Sequence, residues 1–286
     1  MKQVDAYFLD TSSQVSRDWD LPEFQEAIVA DLSGKRLYCS RYVRMQYKAT
    51  LLNALIVLHN LLVDSEDPVD ALQRSDRRME LRRAKGRGTP REGKLVRDAG
   101  CRLLRMYPSR YRTKEEILDS LQELIEGGWE DLFEHDLGTP LCDETGCARA
   151  AGAPVRDDLG YYEPVNAACN LRQPQDCGIR DFWNRHGLDL VALAESDVSD
   201  LPPSKARKQM SSIAEGAARI QEGESPQGKR CSVDMSDAVI AIESRHTPEP
   251  AAVHTLDGDF APIGKALNID VRVFGSTPPH GSPEVA

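Results

Sequence analysis

Four aspartates have the type and placement to bind a divalent cation. Asp10 ends the apolar run Val4–Leu9 and is followed by Thr11-Ser12-Ser13. Asp257 and Asp259 follow a second apolar run, Ala251–Leu256, and Asp237 opens an expected helix, Ser236–Ser244, with Ser236 as its cap. Short apolar runs bounded by polar residues predict buried strands. In open parallel sheets ligands bind beyond the carboxyl ends of strands, so acids far apart in sequence can meet there. Clustered carboxylate oxygens suit Mg²⁺ or Mn²⁺, ions that neutralise phosphate charge and activate water. Each acid also has a plainer role. Asp10 could cap the next helix, Asp237 could face its helix's positive end, and Asp257 could start a turn. Two strand-end acids in one parallel sheet are more than capping explains.

A second group of ligand-type residues is Cys142, Cys147, Cys169 and Cys177. Four thiolates are the ligand set of a structural Zn²⁺ site, and a loop-rich stretch of this kind needs a staple. The Cys142–Cys147 spacing just meets that of typical zinc motifs and the Cys169–Cys177 spacing exceeds it, so free thiols stand as the alternative, as does a mixed site using His135 or His186. The remaining cysteines, Cys39, Cys101 and Cys231, read as small packed or surface residues. His59, on an apolar helix, and His254, within a core strand, read as packed histidines. The order of residues shows no Ser-His-Asp or Cys-His grouping, and no glycine-rich phosphate loop.

The third feature is a charge asymmetry. The chain of 286 residues carries a net −10, yet Arg74 to Lys114 holds 15 Lys plus Arg against 4 Asp plus Glu. That block is +11 and leaves −21 for the rest of the chain. Arg77, Arg78, Arg82, Arg83, Arg102 and Arg105 recur at helical spacing, which suits a phosphate-binding surface. The competing reading pairs these arginines with the chain's own acids.

These groups must be held by alternating elements. After the first strand, helices are expected over Leu21–Leu32, Ser40–Val63, Leu72–Arg83 and Lys94–Met106. Another follows Thr113, which forms a capping box with Glu116, and Gly127-Gly128 ends it. His135–Gly178 has no sustained period. Ile179–Ala194 and Ser204–Gln221 read as helices, and Pro262–Leu267 with Ile269–Phe274 as a closing helix and strand. The pattern predicts an α/β fold with a central parallel sheet. Its core would be 1–63 and 231–276, interrupted by a mainly helical insertion, 64–230, and followed by a mobile tail, 277–286.

At this point the sequence resembles the PIN-domain nuclease family. The resemblance rests on YFLDTSS at 7–13, SRYVRMQY at 40–47, SDAVIAIES at 236–244 and HTLDGDFAPIGKALNIDVRVF at 254–274. It implies a PIN-like three-layer fold. It also implies metal-binding acids at Asp10, Asp237 and Asp257, a neighbouring acid at Asp259, and supporting groups at Ser12 and Thr255. The family's helical Glu falls on Gln46, whose amide brings no charge and cannot act as a base. Glu23 and Glu26 are the nearby acids that could substitute. The implied activity is metal-dependent hydrolysis of RNA, with DNA less favoured, often as the toxin of a toxin–antitoxin pair with an antitoxin partner. The alternative is a weak or inactive PIN scaffold that binds partners in a regulatory complex. A metal-dependent phosphatase for a small substrate fits the acids but leaves the basic block without a role.

Composition narrows the setting. The longest apolar stretch, Leu51–Val63, is too short to span a bilayer and contains Asn53, His59 and Asn60. The N-terminus lacks the pattern of a signal peptide, which points to a cytoplasmic, reducing compartment.

Overall fold

The computed structural model of this protein describes residues 5–20, 22–84, 113–128, 133, 142–147, 153–163, 177–199, 201, 204–227, 231 and 234–275. Two compact units emerge from packing: 1–44 with 137–150 and 168–286, and 45–136 with 151–167. This division runs differently from the sequence boundaries at 63 and 231.

The first unit is built on β1 (Ala6–Leu9), β2 (Arg36–Tyr38), β3 (Ala252–Thr255) and β4 (Val271–Val273). All four are parallel, in the order β2-β1-β3-β4. Tyr7 pairs with Ala252 and Leu37, and Val253 with Val271. Every residue of β1 and β3 is buried. Successive side chains point to opposite faces, so both faces of the central strands are covered, as parallel sheets require. Strand β2 was not legible in the sequence: three residues between Gly34 and Cys39 are too few to show a period.

Between β1 and β2 come α1 (Thr11–Trp19) and α2 (Pro22–Leu32). Between β3 and β4 comes α11 (Phe260–Leu267), and ahead of β3 runs α10 (Ser236–Glu243). The chain leaves β1 towards β2 on one side and leaves β3 towards β4 on the other. The sheet therefore has a topological switch point between β1 and β3, outside whose carboxyl ends ligands bind in open α/β sheets. Close packing of α11 on β4 needs a glycine: a Cβ on Gly264 would lie 2.8 Å from the Ile269 carbonyl oxygen and collide with Val271. Three further helices belong here, α7 (Ile179–Arg185), α8 (Gly187–Ala194) and α9 (Lys205–Gln221). Helix α8 packs on α9, and both touch α11.

The first unit ends inside α3 (Arg41–Tyr47). The expected helix over Ser40–Val63 is continuous but passes through a π-helical turn, Lys48–Leu52, before α4 (Asn53–Val63). The second unit packs α4 against α5 (Pro68–Ala84) and α6 (Lys114–Glu123). Helix α6 starts with the expected capping box. The Glu116 N–H donates to Thr113 Oγ1 at 3.3 Å, and the Thr113 N–H to Glu116 Oε2 at 2.9 Å. In contrast, Ser236 does not cap α10. Met235 holds the cap position without a side-chain bond, and the Ser236 hydroxyl turns to Asp237 instead.

Candidate functional site

Asp10 follows β1 directly and caps α1, with its Oδ1 accepting the Ser13 N–H at 2.8 Å. The capping role is real, but it is one part of a larger net. Ser12 Oγ lies 2.8 and 2.9 Å from the two Asp10 oxygens, and Thr255 Oγ1 donates to Oδ2 at 2.8 Å from the end of β3. Ser12 Oγ also accepts the Leu256 N–H at 3.0 Å, and Thr255 Oγ1 accepts the Asp257 N–H at 2.9 Å. The carboxyl ends of β1 and β3 are thus joined by two hydroxyls and one carboxylate. Asp10 is only 3% exposed, and that burial raises its pKa against the pull of its donors.

Asp237 sits in the first turn of α10, where Ser236 Oγ donates to its Oδ1 at 3.2 Å and Gln209 Nε2 to its Oδ2 at 3.3 Å. Burial first, then the negative charges of Asp10 and Asp257, push its carboxyl up to about 6. An acid raised by two neighbouring carboxylates marks a place where negative charge has been gathered.

Lys205 meets that charge from the start of α9. Its Nζ lies 2.8 and 3.1 Å from the Asp257 oxygens and 2.5 Å from Asp259 Oδ2. Burial pushes the Asp257 carboxyl up, but the Lys205 ammonium and the Asp259 N–H outweigh it and hold it below the ordinary value. The sequence reading did not single out Lys205, although a signal exists. The first turn of α9 reads Lys-Ala-Arg-Lys and contains no acid. Cations there oppose the helix dipole, so an acidic partner from elsewhere is needed.

Asp237 is thus coupled electrostatically to Asp10 and Asp257, and Lys205 is an ammonium shared by Asp257 and Asp259. Hard carboxylate oxygens already chelating a cation fit a Mg²⁺ or Mn²⁺ ligand set. Their oxygens are not drawn in to ligand spacing. Among the described residues, the set of three with ligand atoms all within 4.8 Å of one another lies elsewhere, at Glu144, His186 and His246.

No known family model matches the chain. Neither a curated protein nor a solved structure matches it significantly.

Gln46 lies near the end of α3, half-buried, its carbonyl accepting the Thr50 hydroxyl at 2.8 Å, and belongs to the second unit. Glu23 and Glu26 are exposed on α2. Of the cysteines considered for zinc, Cys169 lies outside the described residues. Cys142 bridges to Ser40, and Cys147 pairs with Cys177 as an isolated antiparallel bridge. Burial, then the charges of Glu243 and Glu144, pushes the Cys142 thiol up to about 12.

The basic block is seen only at its edges. Arg77 is exposed on α5. The side chains of Arg78, Arg82 and Arg83, and all of Arg102 and Arg105, lie outside what is described. The two end cations have internal partners. Arg74 pairs with Asp70 at 2.9 Å and donates to the Asp64 carbonyl, while Lys114 donates to the Val63 and Ser65 carbonyls at 3.0 and 2.6 Å. Lysine at those carbonyls complements the negative end of α4.

Both singled-out histidines are packed. His59 is 1% exposed and edge-on to Tyr162, and burial lowers its pKa. His254 is fully buried in β3, with Nδ1 2.9 Å from Ser13 Oγ and Nε2 3.1 Å from Asp31 Oδ2. The three residues fall in the order of a nucleophilic triad. Ser13 is nevertheless fully buried, and its hydroxyl donates to the His254 carbonyl at 2.8 Å. This is a satisfied core histidine, with no access for a substrate.

Proposed function

We propose that this chain is a PIN-like, divalent-metal-dependent endonuclease acting on RNA. The observation that carries the reading is the electrostatic coupling of Asp237 to Asp10 and Asp257 near the β1–β3 switch point, with Lys205 bridging Asp257 and Asp259. Asp10, Asp237 and Asp257 would hold Mg²⁺ or Mn²⁺, with Asp259 beside them. An ion in that position supplies charge neutralisation at the phosphodiester and lowers the pKa of bound water. Ser12 and Thr255 hold the Asp10 carboxylate in one orientation. Lys205 is 75% exposed, which lets its ammonium leave the aspartates and meet a phosphate oxygen. The exposed Arg77 and its basic neighbours in sequence supply contacts to the nucleic-acid backbone.

Lys205 also favours a second reading, an inert PIN-like scaffold held in a regulatory complex. Its ammonium already neutralises two of the acids. Cleavage of an RNA panel with Mn²⁺ by the unsubstituted chain and by Asp10→Asn separates the two. Asn is as good a cap as Asp, so α1 keeps its start. The nuclease reading expects cleavage that the substitution lowers by orders of magnitude at unchanged circular dichroism. Equal rates would remove Asp10 from the site. RNA binding without cleavage by the unsubstituted chain would select the scaffold.

A further inference from the structure

Away from the aspartates, and among the described residues, three side chains approach metal-ligand spacing. Glu144 lies in the segment 142–147, His186 between α7 and α8, and His246 in the 3₁₀ turn that follows α10. Each offers one ligand atom, and these atoms all lie within 4.8 Å of one another. The segments are separate in sequence, so their meeting is a product of the fold.

Two of the three are oriented from behind, His186 by Asp189 and Glu144 by Arg185. His186 Nδ1 lies 3.3 Å from Asp189 Oδ2, and Arg245 fixes Asp189 by donating to its Oδ1 at 2.6 Å. The other ring nitrogen, His186 Nε2, is buried and makes no hydrogen bond. A carboxylate on one imidazole nitrogen that leaves the other free is how proteins present histidine to a metal. Arg185 holds Glu144, donating to its backbone oxygen at 2.5 Å and approaching Oε2 at 3.4 Å. His246 Nδ1 is 3.7 Å from Glu144 Oε1, too far for a hydrogen bond, and its ring stands at 78° to that of His186 with centroids 5.1 Å apart.

An ordinary surface His–Glu pair would close to hydrogen-bond distance and would not leave a buried imidazole nitrogen without a partner. A cation between the three groups accounts for both facts. Two imidazoles and one carboxylate are a zinc ligand set, whereas Mg²⁺ and Ca²⁺ select oxygen throughout.

We propose that Glu144, His186 and His246 bind one Zn²⁺ ion, tying the segment 142–147 to the start of α8 and the end of α10. Three protein ligands leave a fourth tetrahedral position for water. The site is independent of the nuclease reading. It relocates zinc from the four cysteines to a neighbouring carboxylate and two histidines, of which sequence reasoning had considered only His186.

The test uses the full chain, stripped with a chelator and titrated with Zn²⁺ by calorimetry, and then loaded with Co²⁺ for visible absorption. One equivalent of zinc should bind. His246→Ala, at a partly exposed position, and His186→Ala should each abolish that binding. Asp189→Asn should weaken it by about 10- to 100-fold, the usual effect of removing the group that orients a ligand. The variant Cys142→Ser/Cys147→Ser/Cys177→Ser should keep it. The Co²⁺ form should lack the intense near-ultraviolet band of a thiolate ligand. Absence of zinc binding by the unsubstituted chain would overturn the proposal. So would loss of binding in the cysteine variant with retention in His186→Ala and His246→Ala.

Discussion

Glu243 is the most exacting test of the energetics. It ends α10 fully buried, and neither carboxylate oxygen has a hydrogen bond of ordinary geometry. Burial, then the charges of Asp143 and Glu144, raises its carboxyl to about 8, with Ser40 and the Thr145 N–H close enough to moderate the rise. Cys39, Tyr42 and Cys142 also face it, and all three stay neutral at pH 7. In the unfolded chain Glu243 returns to its ordinary 4.5. Between those values the native state keeps a proton that the unfolded state has lost, so stability falls as pH rises. The slope is about 1.4 kcal/mol per pH unit, or about 3 kcal/mol lost by pH 7 relative to pH 4.5. Glu243→Gln removes the titration while keeping the shape. The variant should match the parent within about 1 kcal/mol at pH 4.5 and exceed it by about 3 kcal/mol at pH 7. Urea denaturation of both proteins at several pH values, with chelator present so that bound metal does not contribute, gives the difference directly. Titrating groups remote from Glu243 cancel in it. A difference that stays flat with pH, or a variant less stable at pH 7, would show that Glu243 is ionised and paired in the fold.

Three further outcomes follow from named contacts. Lys205→Met removes the ammonium shared by Asp257 and Asp259, so Mn²⁺ should bind about tenfold more tightly, as expected when about 1.4 kcal/mol of competing attraction is lost; calorimetry showing equal or weaker binding would mean that Lys205 does not compete for the site. Gly264→Ala should cost about 1–3 kcal/mol, because the new Cβ meets the Ile269 carbonyl and Val271 with little room to shift, and a thermal melt unchanged from the parent would contradict this. Thr113→Ala should cost about 1 kcal/mol by removing one half of the capping box, while Thr113→Ser should restore nearly all of it in the same melt.

Local rules made much of this chain legible from its residues. Strands β1 and β3 announce themselves as short apolar runs ending in polar clusters, and α6 by a capping box that depends on two residues three positions apart. Helices α2, α8 and α9 carry their apolar period openly. The parallel α/β class followed from that alternation, because a strand returning in the same direction needs a crossover element. The strand-end positions of Asp10 and Asp257 were equally plain, and the structure joins them through Ser12 and Thr255.

What tertiary structure decided depends on contacts between distant segments. Strand β2 is three residues long and exists because β1 pairs with it, not because of any period of its own. Lys205 meets Asp257 and Asp259 across some fifty positions, and only the unusual cations in the first turn of α9 hint that it must. Glu144, His186 and His246 show no motif spacing at all, since three separate elements bring them together. Sequence looked for zinc among the cysteines because thiol spacing is a local signal. Glu144 and His246 carried no such signal, and His186 only as a lone candidate, because the proximity of the three groups is set by the fold. The same holds for Glu243: its residue type is ordinary for a helix end, and only burial on all sides makes its charge costly.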